Sequence, residues 1–266
     1  EFADRLAANL EALIEGEGAD TIAAFIAEPV MGAGGVIPPP TTYFEKIQPI
    51  LKRHDILFLD DEVICGFGRT GNMFGAETYD LKPDAMSMAK ALSSAYLPIS
   101  AVMISEEIFQ AAVEESTKIG TFGHGFTYSG HPVPAAVATR TLELYEERNI
   151  IGHVQRITPK FQERLRSFAD HPLVGEARGV GLIGALELVA DKTSKRSFAP
   201  PQGVGARAAA IAEQEGLIVR ALGDSIGFCP PLIITEAEID EMFNRFSGAL
   251  EATEAWVAKK GLRDAV

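Results

Sequence analysis

The stretch ILFLDDEV, residues 56–63, decides the fold, because it has the apolar character of a buried strand and finishes in acidic residues. Three further short runs also have the character of strands: TIAAFIAEPV (21–30), DAMSMAK (84–90) and PISAVMIS (98–105). Helical stretches separate them, including one over residues 43–53. Strands that alternate with helices predict an α/β fold, with a mostly parallel sheet and helices on both of its faces.

The character of the sequence changes at about residue 152. A polar helix, two strand-like stretches broken by glycines, another helix and two short strands follow, and Thr235 begins a terminal helix. Thr235 and Glu238 have the spacing of a capping box. We therefore expect two domains: residues 1–151, the C-terminal part of a large α/β domain, and residues 152–266, a small α+β domain.

Composition excludes several classes of protein. The 266 residues have a formal net charge of −13, whereas nucleic-acid binding usually needs a basic face. Cys65 and Cys229 are the only cysteines, so we expect no disulfide framework and a reducing, cytoplasmic location. No apolar run reaches the length of a membrane span, and no signal peptide opens the chain. The prediction is a cytoplasmic protein that binds neither nucleic acid nor membrane.

Two side chains fall where open α/β sheets bind their ligands, beyond the carboxyl ends of the strands. Asp61 lies at the end of one predicted strand and Lys90 at the end of another. A carboxylate can keep a pyridine nitrogen protonated, and a partly desolvated lysine can hold an aldehyde as a Schiff base. The pair suits a cofactor that carries both a pyridine nitrogen and an aldehyde. Taken by residue type alone, a helix cap and a surface cation are the commoner interpretation.

The acidic residues Asp60, Asp61 and Glu62 do not predict a metal site. Neighbouring residues in a strand point to opposite faces, so Asp60 should point away from whatever Asp61 faces. No histidines with ligand spacing accompany them. The segments GAGG and GFGRTG lack the GxxxxGK[ST] pattern of a phosphate loop, and their glycines suit tight turns and close backbone approach.

Longer stretches around these residues carry a resemblance. They are AEPVMGAGGVIPPPTTYFEKI, LFLDDEVICGFGRTGNMFGAE, KPDAMSMAKALSSAYLPISAVM and GTFGHGFTYSGHPVPAAVA, in that order. Together they resemble the class III (ω-) aminotransferases of pyridoxal-phosphate (PLP) fold type I, and most of all the pyruvate-dependent amine and β-alanine:pyruvate enzymes. The resemblance implies PLP as cofactor, an amine donor, a keto-acid acceptor such as pyruvate, and a homodimer with shared active sites. It makes residues 1–151 part of the large PLP-binding domain.

The resemblance also implies a role for each matching residue. Lys90 would form the Schiff base and move the substrate proton, Asp61 would pair with the pyridinium nitrogen, and Val63 would pack on the ring. Thr127 would donate a hydrogen bond to the cofactor phosphate of the neighbouring subunit, and Arg220 would bind a substrate carboxylate. Without the resemblance, Val63 is an ordinary buried residue, Thr127 a satisfied polar residue and Arg220 a surface charge.

Position 33 narrows the expected substrate. In ornithine- and γ-aminobutyrate-type members a second glutamate stands there and neutralises the arginine, whereas this chain has Ala33. The resemblance therefore favours pyruvate-using amine transaminases.

Two alternatives stay open. One is another class III PLP enzyme, such as an aminomutase. The other is an inactive fragment, because the chain opens within an amphipathic helix without Met, and the family's phosphate-binding loop would lie in an absent N-terminal part.

Overall fold

The structure, a computed structural model, describes residues 1–263 and divides into two compact units. The chain passes from the first unit to the second at Asn149 and Ile150, close to the domain boundary expected at residues 151 and 152. Two short earlier segments, Val30–Pro38 and Arg69–Gly71, also belong to the second unit. The two continuous domains expected from the sequence stay a prediction for the protein as a whole.

The first unit contains a four-stranded sheet in the order β1-β2-β3-β4. The first three strands are parallel and β4 is antiparallel to β3, which confirms an α/β fold with a mostly parallel sheet. Its elements are α1 (Phe2–Glu17), β1 (Ala24–Ala27), α2 (Tyr43–Arg53), β2 (Leu57–Asp61), α3 (Gly75–Tyr79), β3 (Ala85–Met88), β4 (Ala101–Ile104), α4 (Glu106–Ile119) and α5 (Pro132–Glu147).

The hydrophobic spacing of α2 explains how this unit packs. Phe44, Ile47 and Leu51 recur at intervals of three and four residues and are buried on one face of the helix. They join Phe58 of β2 and Ile14 of α1 in one core cluster. Burying a side chain of this size contributes about 1.5–3 kcal/mol to stability, so the cluster holds the helices against the sheet.

The second unit is built around an antiparallel sheet in the order β5-β6-β8-β7, which agrees with the small α+β domain expected there. Its core contains five packed phenylalanines with ring centroids 4.9–5.8 Å apart: Phe161, Phe168, Phe228, Phe243 and Phe246. Its elements are α6 (Ile150–Arg166), β5 (Val174–Val180), β6 (Ile183–Leu188), α7 (Val204–Gln214), β7 (Arg220–Leu222), β8 (Ser225–Phe228) and α8 (Glu236–Lys260).

The turn between β5 and β6 contacts the segment Arg69–Gly71 very closely. Gly181 has φ +56°, and a Cβ atom there would lie 2.3 Å from the carbonyl oxygen of Arg69. The Arg69 guanidinium donates to the carbonyl of Leu182 at 2.9 Å and to that of Pro230 at 2.6 Å. The arginine of GFGRTG therefore stabilises the second unit, and only glycine fits at position 181.

Several elements differ from the sequence prediction. The last of the short strands expected in the second domain, predicted over residues 225–233, ends at Phe228, because Pro230 and Pro231 cannot donate to a sheet. The strand expected to end at Lys90 stops at Met88. Helix α4, which the sequence analysis did not predict, begins after Ser105, whose hydroxyl accepts from Ile108 N. The capping box at Thr235 is confirmed, since Thr235 Oγ1 accepts from Glu238 N and Glu238 Oε2 accepts from Thr235 N.

Within residues 1–263, no helix is long and apolar enough to cross a membrane.

Candidate active site

Asp61 is the last residue of β2, and its carboxylate is held from two directions. Oδ1 accepts a hydrogen bond from the backbone N–H of Val63 at 3.0 Å and from Ser87 Oγ at 3.2 Å. Ser87 lies opposite Asp61 in the register of β2 and β3. The side chain is half-buried, in contrast to the buried Asp60 before it, as the alternation of a strand requires. Asp61 therefore presents a fixed anionic acceptor at the carboxyl end of the sheet.

Lys90 follows β3 by two residues and begins a short 3₁₀ turn, Lys90–Ser93. Its backbone is left-handed, with φ +40°, a conformation that costs a residue other than glycine about 1–2 kcal/mol. The turn is closed by hydrogen bonds from Ala95 N to the carbonyl of Lys90, at 3.1 Å, and from Ser94 N to the carbonyl of Ala91, at 3.2 Å. Backbone strain of this kind is concentrated at functional residues.

The two residues share one edge of the sheet. Strands β2 and β3 are parallel, so Asp61 and the segment carrying Lys90 both leave the sheet at its carboxyl edge. Lys90 is exposed in this chain, so the partial desolvation expected of a Schiff-base lysine stays a prediction for the whole protein. A carboxylate and a primary amine at one edge are the donor set that fits a cofactor with a ring nitrogen and an aldehyde.

Val63 lies beside Asp61, because its backbone N–H donates to the Asp61 carboxylate, and the Val63 side chain is half-buried. Thr127 lies in an exposed turn at residues 127–130, within the first unit. Arg220 is exposed on β7 of the second unit. No group of three potential metal ligands occurs in the described part of the chain.

Tyr145 is a residue that the sequence analysis missed. Its hydroxyl donates to the carbonyl of Ala91 at 3.1 Å, next to Lys90, and its ring stacks on Phe67 at 6.3 Å. Tyr145 is buried on α5 together with Ala138 and Thr141, a spacing that marks the inward face of the helix. That spacing was visible in the sequence, but the Ala91 contact spans 54 residues and was not.

Arg178 of β5 was also missed, and it fixes the loop that contains Ala33. Met31 and Ile37 pair across this loop, and Arg178 donates to the carbonyls of Gly35, at 2.7 and 3.1 Å, and of Val36, at 3.0 Å. A Cβ atom on Gly35 would lie 3.2 Å from the guanidinium, and Gly35 has φ +123°. The loop therefore needs glycine where Arg178 reaches it.

Arg178 also contacts the strands beside Arg220. It donates to Ser225 Oγ of β8 at 3.1 Å and forms an ion pair with Glu187 of β6 at 2.6 Å. On β8, Gly227 lies opposite Arg220. One largely buried guanidinium, 11% exposed, thus connects the Ala33 loop to the strand pair that carries Arg220, all within the second unit.

Comparison with known proteins assigns the family. Residues 1–250 match the family described as Aminotransferase class-III. The chain belongs to the class-III aminotransferase family. This confirms the resemblance seen in the sequence, and class-III aminotransferases use PLP. The predicted cofactor is therefore confirmed at the level of the family.

Individual relatives of this class-III aminotransferase chain are similar over almost all of it. Gamma aminobutyrate transaminase 3, chloroplastic, from Solanum lycopersicum is 58% identical over 96% of the chain and 49% of its own length. A probable gamma-aminobutyrate transaminase 3, mitochondrial, from Oryza sativa subsp. indica is 56% identical over 97% of the chain and 51% of its own length. A solved structure described as "Transaminase with L-ala" is 55% identical, with a TM-score of 0.94 over 96% of this chain and 60% of that one. The chain spans about half the length of these curated relatives.

One expectation needs correction. The predicted cytoplasmic location is wrong, because the curated relatives are named as chloroplastic or mitochondrial proteins. Two free cysteines argue against a disulfide framework, but they do not separate one reducing compartment from another. The narrower substrate class expected from Ala33 stays a prediction, because the chain is 58% identical to a protein named as a γ-aminobutyrate transaminase.

Proposed function

We propose that the protein to which this chain belongs is a PLP-dependent transaminase that moves an amino group from an amine or ω-amino acid to pyruvate. The observation that carries the proposal is the carboxylate of Asp61 and the amine of Lys90 at the carboxyl edge of neighbouring parallel strands. When bound, PLP supplies an aldehyde that amines attack and a ring that accepts electrons. The residues of this chain supply position, charge and proton transfer.

In this proposal Asp61 would accept the N–H of the cofactor ring, and Ser87 and the Val63 backbone keep its carboxylate in place. Val63 would pack against the ring. The Lys90 amine would hold the cofactor and would carry the proton at the reacting carbon of the substrate. Tyr145 acts through the Lys90 turn, because its hydroxyl fixes the Ala91 carbonyl. It is a positioning residue.

Thr127 would donate its hydroxyl proton to the cofactor phosphate in a neighbouring subunit. Its exposed position in a turn supports a contact with another protomer. This role makes the proposed enzyme a homodimer with shared active sites.

Arg220 is proposed to bind the substrate carboxylate. A guanidinium matches a carboxylate with two parallel hydrogen bonds, and both pyruvate and ω-amino acids carry one. Ala33 brings no acidic side chain that would neutralise the arginine. The relatives named as γ-aminobutyrate transaminases support an ω-amino acid donor, and the similar transaminase described with L-ala supports pyruvate, because alanine is pyruvate after amination.

The first experiment replaces Lys90 with Ala in the protein reconstituted with PLP. We expect loss of the absorbance of the lysine-bound cofactor and loss of alanine formation from pyruvate with γ-aminobutyrate or a neutral amine as donor. Lys82→Ala removes an equally charged side chain that is 76% exposed, and it should leave both signals unchanged. Full turnover in the Lys90 variant contradicts the proposal.

The second experiment replaces Arg220 with Ala and, separately, with Lys. We expect the KM for pyruvate to rise far more than the KM for an uncharged amine, with partial recovery in Arg220→Lys, which keeps the charge but loses the planar fork. Equal effects on both substrates exclude Arg220 from carboxylate binding.

One observation favours a second candidate for this chain taken alone. Lys90 is exposed in this chain, whereas a lysine that anchors an aldehyde is usually desolvated in an apolar pocket. The chain alone would then fold without holding the cofactor. Titrating it with PLP and following the absorbance of the lysine-bound form separates the two candidates.

Half-reactions with amine alone and then with pyruvate alone distinguish the proposed transaminase from an aminomutase, because a mutase needs no external acceptor.

A further inference from the structure

Two acidic side chains lie on the face of β2 that is turned away from Asp61. Asp60 and Glu62 are each only 1% exposed. Within residues 1–263, no hydrogen-bond donor reaches either carboxyl oxygen of Asp60 or Oε2 of Glu62. An ionised carboxylate that is buried without a partner costs several kcal/mol, so Asp60 and Glu62 are not both ionised in this structure.

The other oxygen of Glu62 shows which member of the pair is charged. Oε1 accepts a hydrogen bond from the backbone N–H of Ala76 at 2.7 Å. A backbone donor favours the ionised form of the group that receives its hydrogen bond. Asp60 has no such donors among the described residues.

Asp60 and Glu62 are two residues apart, so the alternation along β2 turns both buried carboxyl groups to the same face. Without a proton between them, both would be acceptors and the contact would be repulsive. The nearby charges are also acidic, since Asp61 acts on Asp60 and Glu77 of α3 acts on Glu62. The residues opposite Asp60 on the adjacent strands, Ala27 and Met86, carry no charge.

We propose that Asp60 and Glu62 share one proton, with Asp60 neutral and donating its O–H to the carboxylate of Glu62. Burial and the neighbouring Glu62 raise the pKa of Asp60 to about 8, which supports the neutral form at physiological pH. Burial also raises the pKa of Glu62, but the N–H groups of Gly75 and Ala76 act against it. The pair then holds one negative charge, which has donors around it.

This pair is a positioning device for the residues around Asp61. The backbone N–H of Glu62 donates to the carbonyl of Ser87 at 3.0 Å, and the hydroxyl of Ser87 donates to Asp61. The Glu62 side chain ties the same segment to the start of α3. Losing the shared proton would place a second negative charge on the face of the strand opposite Asp61. The inference does not depend on the proposed transaminase activity.

The consequence for stability has a definite sign. Asp60 in the unfolded chain releases its proton near its ordinary value of 3.8, whereas the folded chain keeps it to about pH 8. Between these values the folded state binds more protons, so the free energy of unfolding falls as the pH rises. The contribution levels off once Asp60 is ionised in both states.

The test compares urea unfolding of the intact protein at about pH 5 and about pH 9 for the natural chain, Asp60→Asn and Asp20→Asn. The side-chain amide that Asp60→Asn introduces would donate to Glu62 without titrating. Between these two pH values, we expect the equilibrium constant for unfolding of the natural chain to rise roughly tenfold or more relative to that of D60N. Each unit of difference between the pKa of Asp60 in the folded and unfolded states changes this constant tenfold. D20N, at an exposed aspartate, should follow the natural chain. Parallel behaviour of D60N and the natural chain overturns the proposal.

A second measurement does not depend on the stability of a variant. Carboxyl-carbon NMR of the natural chain should show one aspartate that titrates far above the others and that is absent from the D60N spectrum. If all the aspartates titrate in the ordinary acidic range, the proposal is wrong.

Discussion

Replacing Arg178 with Gln should destabilise the second unit by about 3 kcal/mol. The Arg178 side chain is 11% exposed and binds two backbone carbonyls, the Ser225 hydroxyl and the Glu187 carboxylate. Removing one partner of a buried ion pair costs about 3–5 kcal/mol, because the other partner stays without compensation. Glu187 is 36% exposed, so water partly replaces the lost partner and the lower end of this range applies.

Urea unfolding followed by the fluorescence of Trp256 measures this effect. Trp256 is the only tryptophan and lies on α8 in the same unit as Arg178. The matched control is Arg245→Gln, because Arg245 also contacts one glutamate and two backbone carbonyls in this unit. Arg245 is 43% exposed, and its loss should cost less than about 1 kcal/mol.

Equal losses in the two variants would refute the reasoning, since burial would then not decide the effect. A loss below that of the control would show that the Ala33 loop does not depend on the guanidinium. Combining Arg178→Gln with Glu187→Gln should recover part of the loss, because the second change removes the uncompensated carboxylate.

Two further variants test close contacts described above, both by urea unfolding. Gly181→Ala should cost more than Gly203→Ala: both glycines have φ near +60°, but a Cβ meets a carbonyl oxygen at 2.3 Å in the first and open space in the second. Similar losses would contradict the steric argument. Tyr145→Phe should lose about 1 kcal/mol with the hydrogen bond to Ala91, whereas Tyr96→Phe, at a residue 82% exposed, should lose nothing. An unchanged Tyr145 variant would show that the hydroxyl does not stabilise the Lys90 turn.

Local patterns in the sequence predicted local structure well. The apolar run that ends at Asp61 forms a strand, and Thr235 with Glu238 forms the capping box, because each depends on residues that are adjacent or three apart. The backbone at Lys90 was not predictable in this way. Its left-handed conformation is held by the turn and by Tyr145 from a distant helix.

The contacts that fix the Lys90 turn and the Ala33 loop are long-range. Arg178 and Gly35 are separated by 143 residues, and no periodicity of either segment indicates their partner. The buried pair of Asp60 and Glu62 was partly predictable from the sequence, because alternation along the strand places Asp60 on the face opposite Asp61. What the alternation did not show is that this face is buried.

The loop held by Arg178 has a consequence for how the chain is made. Its carbonyl acceptors at Gly35 and Val36 are synthesised 143 and 142 residues before the arginine that binds them. At a ribosomal rate of about 5–20 residues per second, the loop waits roughly 7–30 seconds for its partner. The second unit is thus assembled from pieces made early and late. A polypeptide that begins at Ile150 would contain the arginine but neither carbonyl, and we expect ribosome-bound chains to order residues 30–38 only after β5 emerges.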